Sequence, residues 1–323
     1  MTAVDRLDVS RFADRFAGIA DNIERVIQGK RSPIEQVLTC LIAEGHVLIE
    51  DVPGVGKTLL AKSLARSIDC EFNRIQFTPD LLPSDVTGVS IWDRHESAFV
   101  FKPGAIFANI VVGDEINRAS PKTQAALLEA MEERQVTTDG KTKLLPEPFM
   151  VVATQNPIEH EGTYPLPEAQ LDRFMMRVSV GYPSRDKELE MLETHSLRST
   201  FEVLEPVVSA REVGAMIEIA RRIEVVPAVR SYIIDIVEGT RRHPEVLLGA
   251  SPRSALYLQK AARARAASEE RDYVTPDDVK TLAGSVLEHR LAFRPEAQMR
   301  GVTSSELIAS VLGSTRIPIH RTS

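Results

Sequence analysis

Glu50-Asp51-Val52-Pro53-Gly54-Val55-Gly56-Lys57-Thr58 is the stretch that decides the fold. The apolar run His46-Val47-Leu48-Ile49 leads into it, and a helical run from Leu59 to Ile68 leaves it. Strand, glycine-rich loop, Gly-Lys-Thr and helix, in that order, form the context a phosphate-binding loop requires. Glycines let backbone N–H groups turn toward a polyphosphate with no Cβ in the way. The N-terminus of the following helix adds unpaired donors and partial positive charge. Lys57 has the reach for β- and γ-phosphates, and the Thr58 hydroxyl can hold Mg2+. Gly54, Val55, Gly56, Lys57, Thr58 and Leu59 are therefore the expected nucleotide contacts. Asp51 departs from G-x-x-x-x-G-K-[ST], standing where the first glycine would fall. An inward carboxylate would repel phosphates, so Asp51 is expected to point away. A chance glycine-rich turn before a helix would also produce Gly-Lys-Thr, but strand and helix in register argue against it.

Phe107 to Val112 reads as a continuous apolar strand that ends in Gly113-Asp114-Glu115. Ligands of parallel sheets bind at the carboxyl ends of strands. Asp114 there would orient a Mg2+ shell, and Glu115 would accept a proton from an attacking water. Phe149 to Ala153 is the next buried strand, tipped by Thr154-Gln155-Asn156-Pro157. Asn156 either positions that water or simply forms a turn ahead of proline. Leu171-Asp172-Arg173-Phe174 leads into the last strand, Met175 to Val180.

Bulk properties narrow the function classes. The chain has 323 residues with 43% hydrophobic, ordinary for a globular protein. Thirty-nine basic against 46 acidic residues give a net charge of −7, which argues against non-specific nucleic-acid binding. Cys40 and Cys70 suggest neither a disulfide framework nor a zinc motif, and suit a reducing cytoplasm. Met1 to Arg15 lacks the apolar core of a signal peptide, and no apolar stretch is long enough to span a bilayer. The seven histidines show no metal-ligand spacing and are expected at surface or packing positions.

Two helices are expected before the loop. The first, within residues 10 to 28, carries Phe12, Phe16, Ile19, Ile23, Val26 and Ile27; the second follows Pro33. The turn between them, with Gln28 and Gly29, either packs as core or lies against an adenine base. Beyond the loop come a strand from Glu71 to Phe77 and a short capped helix within Thr78 to Asp85. Two β-hairpins follow. One pairs Gly88–Trp92 with Ala98–Phe101 across Asp93-Arg94-His95-Glu96; the other pairs Gln135–Thr138 with Lys141–Leu145 across Asp139-Gly140. Between them Ser120-Pro121 starts a helix with Ala125, Leu128 and Met131 on one side.

Gly181-Tyr182-Pro183-Ser184 breaks the alternation of strand and helix. From there helices are expected over Lys187–His195, Arg211–Arg221, Val229–Thr240, Arg253–Ser268 and Pro276–Leu291. The architecture is thus α/β: a P-loop domain with a parallel sheet and its N-terminal helices over residues 1–183, then a smaller all-α lid domain over 184–323. Gly301–Ser305 reads as a linker, and Glu306–Leu312 as a turn or two of helix. In Ser251-Pro252-Arg253 a cation fills the first helical turn, where the dipole prefers anions. Arg253 either reaches a phosphate or snorkels to solvent.

Together these segments resemble a MoxR-family AAA+ ATPase, from about Val26 to Leu291. Glu50–Thr58 is similar to that family's Walker A, acidic residue included. Asp114-Glu115-Ile116-Asn117-Arg118-Ala119 resembles its Walker B, and Ala153–Pro157 its sensor 1 tip. Leu171–Phe174 resembles the segment supplying the arginine finger, and Gly249-Ala250-Ser251-Pro252-Arg253 the sensor 2 motif. The hairpins resemble the helix-2 insert and pre-sensor-1 hairpin. The resemblance implies a homo-oligomeric, hexameric ring binding ATP and Mg2+ between subunits, with ADP as product. Lys57, Thr58, Asp114, Glu115 and Asn156 would act in cis. Arg173, favoured over Arg118, Arg134 and Arg177, would come from the neighbour, and Arg253 would report nucleotide state. The family's implied role is a chaperone for partner proteins, many with a von Willebrand factor A-type domain. Two alternatives remain. A nucleic-acid motor of minichromosome-maintenance type shares the hairpins, but their tips are mixed in charge. A nucleotide-gated subunit of a chelatase-like complex shares the pattern without meaningful turnover.

Overall fold

The computed structural model describes residues 5–95, 97–156, 162–194, 201 and 204–318. The chain begins with helices α1 (Arg6–Glu24) and α2 (Arg31–Ile42), then β1 (Val47–Glu50), α3 (Lys57–Ser67) and β2 (Phe72–Gln76). A short α4 (Pro83–Thr87) precedes the hairpin β3 (Gly88–Asp93) and β4 (Ala98–Pro103). Strand β5 (Ile110–Asp114) and helix α5 (Pro121–Glu133) lead to the second hairpin, β6 (Gln135–Thr138) and β7 (Lys141–Leu144). Strand β8 (Met150–Gln155), α6 (Glu168–Leu171) and β9 (Met176–Val178) follow. Then come α7 (Arg185–Thr194), α8 (Ala210–Arg222), α9 (Pro227–Arg242), β10 (Val246–Leu248), α10 (Pro252–Ser268) and α11 (Pro276–Leu287). The described chain closes with β11 (Ala292–Phe293), α12 (Pro295–Met299) and α13 (Ser304–Ser314).

Five strands form one sheet in the order β2-β5-β8-β1-β9, and every pairing is parallel. Parallel pairing brings the strand tips to one edge: Gln76 registers with Asp114, and Glu50 with Gln155. Strand alternation divides the core between the two faces. Val47, Ile49, Ile110, Val112, Met150 and Val152 face one apolar cluster. Leu48, Val111, Val151 and Ala153 face the other. The first cluster continues without a break from α1, α2 and α3 into α8 to α11 and α13, and α1 packs directly on α10.

Several expected boundaries move. Helix α1 ends at Glu24, so Val26 and Ile27 lie in the turn that follows it, while α2 begins at Arg31, ahead of Pro33. The short helix expected from Thr78 begins instead at Pro83, where the Asp85 carboxylate accepts the Leu82 N–H at 2.9 Å. Strand β5 starts at Ile110, because the Asn109 side chain ties Glu71 N–H to the Pro148 carbonyl just before it. In α5 the buried face is Thr123, Gln124, Leu127, Leu128, Ala130 and Met131; Ala125 is exposed. Ser304 and Ser305 are helical rather than linker, since Thr303 caps α13 and buries Leu307, Ile308 and Val311. Glu96, Pro157 and His195, each part of an expected element, lie outside the described residues. Among the described residues no helix is long and apolar enough to cross a membrane, and no cluster of His, Cys, Asp and Glu could hold a metal ion by itself. His46 and His289 are packing residues, as expected, at 6% and 7% exposure.

Candidate functional site

The loop after β1 crosses the sheet edge beside the β5 and β8 tips. Gly54 and Gly56 hold φ of +86° and +89°, the left-handed region that a side chain resists. Nothing lies within 4 Å of a Cβ built on Gly54, so conformation rather than crowding demands glycine there. Lys57 Nζ donates to the Asp51 carbonyl at 2.7 Å. The Asp51 carboxylate bridges the loop and the end of β9: Oδ1 accepts the N–H of its neighbour Val52 at 2.9 Å, and Oδ2 reaches across. Oδ2 accepts from the N–H groups of Val180 and Gly181 at 2.7 and 2.6 Å and from the Ser179 hydroxyl at 3.0 Å. Burial alone would raise its pKa, but these donors outweigh burial and hold it below the usual carboxylate range.

Asp114 collects three donors. Thr58 Oγ1 lies 3.0 Å from Oδ2, Arg74 Nε 2.6 Å from the same oxygen, and Thr154 Oγ1 3.0 Å from Oδ1. Glu115 is the next residue, in left-handed backbone at φ +57°. Its N–H donates to Thr154 Oγ1, and its Oε2 accepts from Gln76 and Arg118, each at 3.0 Å. Asn156, 8% exposed, ends the same group of strand tips.

The donor chemistry at the strand tips fits the expected ion. Thr58 and Asp114 offer an all-oxygen donor set, the kind Mg2+ takes. Ile27, the residue before the expected Gln28 and Gly29 contacts, packs toward the loop: a Cβ on Gly56 would meet its Cδ1 at 3.6 Å. Gln28 Oε1 is buried without a hydrogen-bond partner.

Arg173 and Arg253 come together at a different place. Both bind Glu132 on the last turn of α5: Arg173 Nε lies 3.1 Å from Oε2, and Arg253 contacts Oε1. They line a cavity of about 390 Å3 with Glu132, Arg134 and Arg221, and none of Gly54 to Leu59 lines it. The other arginine candidates pair elsewhere: Arg118 with Glu115, Arg134 with the Glu44 carbonyl, and Arg177 with Glu50 and Glu288. Ser251 caps α10 and donates to Asp172 at 3.0 Å, and the buried Arg290 reaches Asp172 at 2.8 Å.

The sequence reading missed Arg74, Gln76, Thr154 and Glu132. Arg74 and Gln76 flank Ile75 on β2 as two polar residues near the strand tip. Two polar residues at a strand tip are a weak signal, and the pairing of β2 with β5 is what makes it specific.

The hairpins carry an exposed aromatic patch. Trp92 and Phe99 meet edge to face at 5.2 Å and are 53% and 71% exposed. Lys143 sits 4.7 Å over Phe101 from the neighbouring hairpin.

The model for the AAA family of ATPases associated with various cellular activities matches residues 46–176, and the AAA lid domain model matches 238–311. The chain is 41% identical to Chaperone MoxR1 of Mycobacterium tuberculosis, over 92% of this chain and 80% of that protein. The chain belongs to the MoxR family of AAA+ ATPases. It is also 50% identical to the uncharacterized protein YeaC of Bacillus subtilis, over 93% of this chain and 94% of that one. A crystal structure from Cytophaga hutchinsonii, described provisionally as an ATPase, superposes with a TM-score of 0.90 at 37% identity, covering 97% of each chain. The MoxR assignment accounts for the parallel sheet followed by a helical lid.

Proposed function

We propose that this MoxR-family chain is a Mg2+-dependent ATP hydrolase that works as a hexameric ring in the cytoplasm and remodels or activates client proteins. Residues 1–183 form the nucleotide unit and 184–323 the lid. The observation carrying this reading is the 3.0 Å contact between Thr58 Oγ1 and Asp114 Oδ2, which brings the loop hydroxyl and the strand-tip carboxylate together. Thr58 and Asp114 would hold Mg2+, which would supply neutralisation of phosphate charge. The backbone of Gly54 to Thr58 cradles the phosphates, with Leu59 beside them, and Lys57 exchanges the Asp51 carbonyl for a phosphate oxygen. Gln28 and Gly29 face the base. Glu115 takes the proton of the attacking water once Gln76 and Arg118 release its Oε2, and Asn156 orients that water. Arg173 and Arg253 lie on a separate surface and act on a neighbouring subunit's ATP, so turnover requires assembly.

The client role draws on the MoxR1 relative, named a chaperone, and on the exposed Trp92–Phe99 pair. Clients with a von Willebrand factor A-type domain are the first to test. Lys141 and Lys143 beside exposed aromatics favour a second reading, a nucleic-acid motor. One trap separates the two. Tagged Glu115→Gln protein is loaded with ATP and Mg2+ and recovered from its own lysate with and without nuclease, with Lys57→Ala as the nucleotide-free control. A protein recovered only with the trapped form supports the chaperone reading. Nuclease-sensitive recovery of nucleic acid overturns it in favour of the motor.

A further inference from the structure

We infer that Glu132 is a latch: it holds Arg173 and Arg253 at the place a neighbouring subunit's γ-phosphate takes over on assembly, and so sets the concentration at which the ring forms. This rests on the proposal that both arginines act in trans.

One carboxylate serves two guanidinium groups from distant parts of the chain. Arg173 follows α6, and Arg253 lies in the first turn of α10, yet both bind Glu132. A cation in a first helical turn opposes the dipole, so Arg253 needs an anion, and in the isolated chain that anion is Glu132. The remaining arginines of the cavity are engaged by its other acidic residue: Arg221 pairs with the Glu44 carboxylate, and Arg134 donates to the Glu44 carbonyl. Carboxylate and phosphate oxygens are interchangeable partners for guanidinium, and phosphate brings more charge.

The exchange involves side chains only, because both backbones are already fixed. Asp172, the residue before Arg173, is held by Arg290 at 2.8 Å and by Ser251, two residues before Arg253, at 3.0 Å. Tyr257 donates to the Arg173 carbonyl at 3.4 Å. The two guanidinium groups therefore stay aimed at one point while the anion there changes. The side chains of Arg173, Arg253 and Glu132 are 30%, 37% and 34% exposed, so the pairs are partly screened by water and displaceable.

The test is sedimentation velocity over a range of chain concentrations, with a non-hydrolysable ATP analogue or with ADP. Glu132→Gln should lower the concentration at half assembly about three- to tenfold with the analogue, as two weak exposed pairs would allow. With ADP, which lacks the γ-phosphate, it should change nothing. A simple packing defect cannot produce a gain of assembly specific to the triphosphate. An unchanged or raised midpoint with the analogue overturns the latch. If Arg173→Ala abolishes triphosphate-dependent assembly while Glu132→Gln behaves as wild type, the latch alone fails. If Arg173→Ala also matches wild type, or the wild type never assembles, the trans-site proposal fails with it.

Discussion

Arg74 on β2 reaches diagonally to Asp114 on the paired strand β5, with Nε 2.6 Å from Oδ2; its register partner is Val112. The same oxygen accepts the Thr58 hydroxyl, so a guanidinium sits on the carboxylate proposed to hold Mg2+. Half of the Arg74 side chain is exposed, so the pair is weakly held. Arg74→Gln should lower the Mg2+ concentration for half-maximal turnover by about two- to fivefold, read from a metal titration of ATPase rate. A raised requirement would mean that Arg74 helps build the site rather than competing for it.

Asp51 binds the loop to the end of β9. Asp51→Ala leaves the Val180 and Gly181 N–H groups without their acceptor and should cost about 1–3 kcal/mol in urea unfolding. Asp51→Gly, which restores the usual loop sequence, should destabilise as much, because the loss is the acceptor and not the backbone. The Asp51 pKa is depressed in the folded chain, so its contribution is present above the ordinary value of 3.8 and lost as pH falls below it.

The acid response should begin earlier, at His46. Val151 N–H donates to Nδ1 at 3.0 Å, and Nε2 faces the Met131 carbonyl at 3.0 Å, which selects the neutral ring protonated at Nε2. Burial pushes its pKa from 6.5 down to about 3. Below pH 6.5 the unfolded chain gains a proton that the folded chain refuses. Stability is therefore complete above that pH and falls as the solution is acidified, with a limiting slope of about 1.4 kcal/mol per pH unit for one proton. Burial depresses His289 as well, so it adds in the same direction. Urea midpoints between pH 7.5 and about 5 measure this slope, and His46→Phe should flatten it.

Asp172 gives a fourth prediction. Arg290 has a side-chain exposure of 2%, and Asp172 is its ion-pair partner. Asp172→Ala strands a buried cation and should cost about 3–5 kcal/mol in unfolding free energy. It should also weaken ATP-driven assembly, since the segment carrying Arg173 loses its anchor.

The fold was legible because its signals are local. Glycines at 54 and 56, an apolar strand tipped by Asp114-Glu115, and Ser120, Ser251 and Thr275 each followed by proline all state their structure within a few residues. Local signals also misled. Thr78-Pro79-Asp80 has the form of a helix start, but Leu82-Pro83-Ser84-Asp85 carries its own N3 carboxylate and captures the helix. Phe107 and Ala108 look like strand, yet they pack as the approach to β5 in the second apolar cluster. The site was half legible. Lys57, Thr58, Asp114 and Glu115 follow from motif spacing, whereas Arg74 depends on strand order and Glu132 on how α5 meets α10. Neither is written in any window of sequence.

The most direct test of the account is phosphate release by Glu115→Gln at saturating ATP and Mg2+, with nucleotide occupancy checked in the same sample. The account predicts wild-type occupancy with turnover lowered by about 100- to 10,000-fold, the size of a lost general base. Full occupancy with wild-type turnover would contradict it and remove Glu115 from the chemistry.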